Sequence, residues 1–192
     1  MAEAVIKLAG SRGFEGTSMR AIAKATGLSV GALYRYIGCK EDLRHLFAEI
    51  ADSSHSELQT KLHEHTKGLR PTDALKESIS IYIRSVEEWQ NLDDYRNYSI
   101  LCASQELRKS FFDKGHYVID YFNRLLTEGV NKGEFEVEDT YLMAFNISTT
   151  GNAWVNRRQF LRNRYSLEDY IRKETDLLLR SILPKRVQAA ET

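Results

Sequence analysis

The stretch Val30–Tyr36 reads Val-Gly-Ala-Leu-Tyr-Arg-Tyr and contains no carboxylate. If Val30, Leu33 and Ile37 anchor it as a short helix, then Gly31, Ala32, Tyr34, Arg35 and Tyr36 face outward. Such a face suits contact with a nucleic-acid duplex. Small side chains let a helix sink into the major groove, tyrosine hydroxyls bond phosphates, and methyl or aromatic surface packs on thymine methyls. Arg20 before this stretch and Lys40 after it would flank it as cationic clamps. The same residues could instead form a helical hairpin with half-buried aromatics and solvated charges. Spacing alone leaves both readings open.

Two elements must position that face. Met19, Ile22, Ala23 and Thr26 fall at i, i+3, i+4 and i+7, the spacing of one helix side, and the small Ala23 permits a close crossing. Gly27 can take the left-handed conformation that ends this helix, and Ser29 offers a side-chain oxygen to start the next. Two short helices joined by a tight turn containing glycine make a helix-turn-helix.

Other chemistry is poorly supported. His55, His63 and His65 lie at separations of eight and two on a predicted helix, so no two imidazoles share a face for a metal. Asp93 and Asp94 precede a Tyr-Arg pair without a positioned partner. Glycine-rich phosphate loops, nucleophile elbows and zinc-ligand spacings are missing from the sequence. The expectation is a protein that is not an enzyme and uses no cofactor or metal. Cys39 and Cys102 read as free thiols of a reducing compartment. No apolar run reaches the roughly 18–20 residues of a membrane span, so a soluble cytoplasmic protein is expected.

The 192 residues include 27 basic and 27 acidic side chains, a formal net charge of zero that argues against a wholesale nucleic-acid coat. A composition of 42% apolar and 28% charged residues is globular and excludes a disordered tail or a disulfide scaffold. The charge is nevertheless uneven. Residues 1–48 hold 7 basic and 4 acidic side chains, a +3 head, against −3 for the remainder.

Beyond the head the chain reads as all-α. Apolar residues recur at helical spacing between Pro71 and Pro184, for example Leu75, Ile79, Tyr82, Ile83 and Val86. Two final helices are expected at about 138–163 and 167–183, the second opened by Ser166-Leu-Glu-Asp169 in capping-box style. Leu177, Leu178 and Leu179 run consecutively, so that helix has apolar surface on more than one side. Aromatic residues gather between them and the head. Tyr82, Ser85, Trp89, Tyr98, Cys102, Gln105, Phe122, Phe145 and Asn146 could line an apolar cavity with polar anchors, or belong to a plain core. Both remain open.

The run Gly13-Phe-Glu-Gly-Thr-Ser-Met-Arg-Ala-Ile-Ala-Lys-Ala-Thr-Gly-Leu-Ser-Val-Gly-Ala-Leu-Tyr-Arg-Tyr-Ile-Gly-Cys-Lys-Glu-Asp-Leu43 resembles the N-terminal signature of the tetracycline-repressor (TetR) family of transcriptional regulators. The resemblance implies about nine helices and a homodimer that reads a two-fold double-stranded DNA operator. It implies a three-helix DNA-binding head over 1–45, and a body over 46–192 for effector binding and for dimerisation through the last two helices. The expected function is a repressor released from a palindromic operator by a small, lipophilic effector; the alternative is a helical protein-interaction module that does not bind DNA. By resemblance Thr17 and Ser18 match phosphate contacts and Arg20 a base-edge contact. Ser29 opens the second helix, Val30, Gly31 and Ala32 match specificity positions, Tyr34 and Tyr36 groove and phosphate contacts with Arg35 between them, and Lys40 a phosphate-binding lysine.

This sequence departs from the family pattern at Cys39, where a serine usually caps the long helix after the head. A thiol caps poorly, so a loss on the order of 1 kcal/mol is expected. Ile37 and Ala9 replace usual phenylalanines, which predicts a less aromatic head. Few residues precede the first helix, so weaker non-specific phosphate attraction is expected than with a basic N-terminal arm.

Overall fold

The computed structural model describes residue 8 and residues 17–39, 42–91 and 105–184. The all-α expectation holds, with eight helices and no strand among the described residues. These are α1 Met19–Thr26, α2 Val30–Tyr36, α3 Asp42–Thr66, α4 Pro71–Asn91, α5 Gln105–Asn131, α6 Thr140–Asn156, α7 Arg158–Leu161 and α8 Leu167–Ile182. The chain forms two compact units, Met1–Glu57 with Glu88–Phe112, and Leu58–Glu87 with Asp113–Thr192.

In the second unit the polar groups of aromatic side chains tie α4, α6 and α8 together. Tyr82 on α4 is buried and donates its hydroxyl to the Ser148 carbonyl of α6 at 2.7 Å. Gly151, one turn further along α6, makes that approach possible: a Cβ there would meet Tyr82 Cε1 at 2.9 Å and Val86 Cγ2 at 3.1 Å. Tyr170 on α8 donates to the Thr150 carbonyl at 2.8 Å and stacks on Trp154, with ring centroids 4.9 Å apart. The Trp154 indole N–H reaches back to Glu87 on α4 at 2.7 Å, and Arg162 bonds the same carboxylate oxygen. Arg84 grips Glu168 with both terminal guanidinium nitrogens. Between these ties lie Leu75, Ile79, Ile83, Phe122, Leu126, Ile147 and Ile182, all fully buried.

Helix ends follow the sequence rules in some places and not in others. Ser166 accepts from the Asp169 N–H at 3.1 Å and donates to the Asp169 carboxylate at 3.0 Å, so the predicted capping box forms. The helix expected over 138–163 is interrupted instead: α6 stops at Asn156, Arg157 leaves the helical basin (φ −114°, ψ 20°), and α7 resumes for one turn. Pro71 takes the first position of α4, where its missing N–H costs nothing. Arg70 before it has no side-chain acceptor to cap the helix. Glu134, 62 residues away from Thr72, supplies one by accepting from the Thr72 N–H at 3.0 Å and from its hydroxyl at 2.7 Å.

Those two bonds hold the Glu134 carboxyl below the usual carboxylate range. A group so depressed stabilises the fold fully above that range and loses its contribution as pH falls through its folded value. Glu134→Ala is therefore expected to cost on the order of 1 kcal/mol in urea unfolding at neutral pH. The gap between variant and parent should close as the solution is taken below the carboxylate range.

Candidate nucleic-acid interface

Each end of the two head helices is closed by a group near in sequence. Ser18 caps α1, its Oγ accepting from the Ala21 N–H at 3.2 Å, and Ser29 caps α2, accepting from the Ala32 N–H at 3.0 Å. Between them Gly27 adopts the left-handed conformation (φ 70°), and the N–H groups of Gly27 and Leu28 both turn back to the Ala23 carbonyl. The Thr26 hydroxyl bonds the carbonyls of Ile22 and Ala23. Ile22, Ala23, Leu33 and Ile37 are buried, which fixes the rotation of both helices.

That rotation leaves Gly31, Tyr34, Arg35 and Tyr36 exposed on α2, with Val30 and Ala32 half-buried beside them. Tyr36 is 72% exposed and Tyr34 49%, so one aromatic of this face stands in solvent and the other is about half exposed. Arg20 and Lys24 on α1 are also exposed. From Thr17 to Cys39 there is no acidic side chain, so every exposed charge on this stretch is positive. Space around Gly31 is open: a Cβ there would touch nothing within 4 Å. Its smallness thus serves nothing inside the described protein and leaves the helix backbone accessible.

One expected contact is corrected by the structure. Thr17 is only 2% exposed, so its side chain is part of the head's interior and Ser18 is the surface residue of the pair. Cys39 does not use its thiol as a helix cap. Asp42 in the first turn of α3 reaches back, accepting from the Cys39 N–H at 2.9 Å and from its thiol at 3.3 Å. The carboxylate half of a capping box is thus present without the serine half. Lys40 lies outside the described residues.

The residues proposed for an effector separate in a similar way. Tyr82, Ser85 and Phe122 are buried in the second unit, where Phe122 packs edge-on against Tyr82 and Tyr121 at 5.9 and 5.6 Å. Phe145 and Asn146 are exposed on α6. Trp89 and Gln105 fall on α4 and α5 at positions whose side chains lie outside the described residues, as do Tyr98 and Cys102 altogether. Among the described residues no three His, Cys, Asp or Glu side chains come together as a metal site, and no helix is long and apolar enough to cross a membrane.

Residues 3–46 match the family model for bacterial regulatory proteins of the tetR family. The match covers the head alone, and there the chain is similar to the DNA-binding region of that family. A relative over nearly its whole length is the HTH-type transcriptional regulator HbdR of Aromatoleum sp. (strain CIB), 24% identical over 97% of this chain and 81% of that protein. Among solved structures, the TetR-family transcriptional regulator PfmR of Thermus thermophilus superposes with a TM-score of 0.76 at 25% identity, over 93% of this chain and 96% of that one. AibR, solved in complex with isovaleryl coenzyme A and operator DNA, shares the fold with a TM-score of 0.74 at 19% identity, over 93% and 95% of the two chains.

In this head, Gly31→Ala separates packing from recognition. The added methyl meets no atom and relieves a helical glycine, so thermal stability is expected to hold or rise by up to about 1 kcal/mol. Affinity for bound DNA should fall about tenfold, because the methyl would stand between backbone and groove. Melting curves and gel-shift titrations of the same preparation read the two effects.

Proposed function

We propose that the protein is a cytoplasmic, dimeric transcriptional repressor whose heads, residues 1–45, bind a palindromic operator, and whose body, residues 46–192, releases it on binding a small lipophilic effector. The observation that carries this reading is α2: a rotationally fixed helix presenting an open glycine, two exposed tyrosines and an arginine on a stretch without acids. A surface for gripping protein would have no need of an acid-free face beside a bare backbone position. The fold shared with AibR, which was solved with operator DNA and an acyl coenzyme A, supports both halves of the proposal. On the effector side, Tyr82 and Ser85 are buried hydroxyl-bearing side chains among the apolar Ile79, Ile83 and Val86, a composition that suits a pocket with a few polar anchors.

Phe145 is assigned to the dimer rather than to the effector. Tyr141, Leu142 and Phe145 occupy one side of the first turns of α6, each about half exposed, and Leu177 on α8 is 65% exposed. Leu179 is buried on the same helix, so the run of three leucines does split between core and surface. Large apolar groups left in water on both final helices call for a partner, and a second copy of the chain meets the two-fold symmetry of a palindrome.

Binding to fragments selected from the source genome should yield an enriched palindrome, with affinity falling steeply as salt rises. Lys40→Ala should weaken all sequences together and lower the salt slope by about 1, whereas Arg20→Ala should relax preference at one base pair. A flat salt dependence without an enriched motif would exclude DNA as the partner.

The dimer has its own test. Phe145→Asp and Leu177→Glu are expected to shift the protein to monomer mass in sedimentation while leaving its helicity unchanged. Both should lose operator affinity, since one head reads only one half-site.

A further inference from the structure

A cleft of about 390 Å³ opens in the second unit where α3 ends, α4 begins and the second half of α5 passes, and it falls within the size of small-molecule sites. Leu69, Pro71, Ala74 and Leu125 give it apolar walls, Tyr121 and Thr66 supply hydroxyls, and Arg124, Glu128 and Lys132 bring charge. None of these residues belongs to the effector set around Tyr82 and Ser85.

The hydroxyls are ordered by proton counting. Thr66 donates its single proton to the Leu62 carbonyl at 2.6 Å, so in its contact with the Tyr121 hydroxyl at 3.2 Å it can only accept. Tyr121 therefore donates to Thr66, and the buried Ser78, 2.9 Å away, donates to Tyr121. The chain runs Ser78 to Tyr121 to Thr66 to Leu62, and every proton in it is committed. What Tyr121 and Thr66 still have is lone pairs. Their edge of the cleft accepts hydrogen bonds and repels anionic oxygen.

The charges are unequal in a complementary way. Glu128 is taken by Lys132 at 2.6 Å. Arg124 is exposed and pairs with no carboxylate among the described residues; its electrostatic neighbour is the Tyr117 phenol. A guanidinium presents a planar fork of donors that fits a carboxylate. We propose that this cleft is a second ligand site, taking a small organic anion that also bears a hydroxyl or amine. Its carboxylate meets Arg124, its donor meets Tyr121 or Thr66, and its apolar body lies against Leu69 and Leu125.

Mandelate carries all three features, phenylacetate lacks the hydroxyl, and mandelamide lacks the charge. Calorimetric titration of the full chain should give saturable mandelate binding, weaker phenylacetate binding and none with mandelamide. Arg124→Gln alters one exposed side chain, keeps the parent melting curve, and is expected to weaken mandelate about tenfold. Arg124→Lys should restore part of the loss. Mandelate that fails to saturate, or that binds Arg124→Gln as tightly as the parent, overturns the proposal. Phenylacetate binding as tightly as mandelate overturns the role given to Tyr121 and Thr66. Because binding is read directly, none of these outcomes depends on whether the protein holds an operator.

Discussion

A helix of seven or eight residues cannot maintain itself in water, since nucleation costs more than so few internal hydrogen bonds return. The head of this protein consists in large part of two such helices, α1 and α2, and they depend on the turn at Gly27. There one carbonyl, that of Ala23, receives two successive N–H groups and reverses the chain, which only a left-handed residue permits at that point. The surface that α2 presents follows from that reversal. Were the turn to open, Leu33 and Ile37 would lose the partners that set the rotation of the recognition face.

The second unit solves a different problem, that of holding long helices at one fixed spacing. Its aromatic hydroxyls and indole work as cross-ties because each is large enough to cross a helix interface and ends in a polar atom. Tyr82 and Tyr170 both end on carbonyls of α6, while Trp154 leaves α6 for Glu87 on α4. Glu87 also accepts from Arg162, so one carboxylate just beyond the buried core joins α4 to the segment before α8. Arg84 and Glu168 add a second tie between α4 and the start of α8.

What was legible in the sequence was what is decided locally. Gly27, Ser29 and the Ser166–Asp169 box act within a few residues of themselves, and each takes the role its type and position predict. Glu134 was not legible as the cap of α4, because nothing in a sequence links an acid to a helix start 62 residues away. Nor was the outward face of α6. With Tyr141, Leu142, Ala144, Phe145 and Ile147 in succession the helix is apolar nearly all round, so periodicity cannot say which side meets the core, and Phe145 was read as inward. Thr17 was read from the family pattern as a surface contact, whereas its burial is set by packing that the pattern does not encode.

The two head serines carry a further consequence. As caps they use a lone pair of Oγ, accepting from Ala21 and Ala32, and both side chains are exposed. A hydroxyl that accepts through its lone pair still has its proton. Ser18 and Ser29 can therefore donate to a phosphate while holding the helix start, one atom serving fold and ligand at once. Asparagine or aspartate caps a helix equally well, but aspartate would place a negative charge where the duplex is already negative. Serine thus caps both helices without adding a negative charge to the surface that the proposed function gives to a duplex.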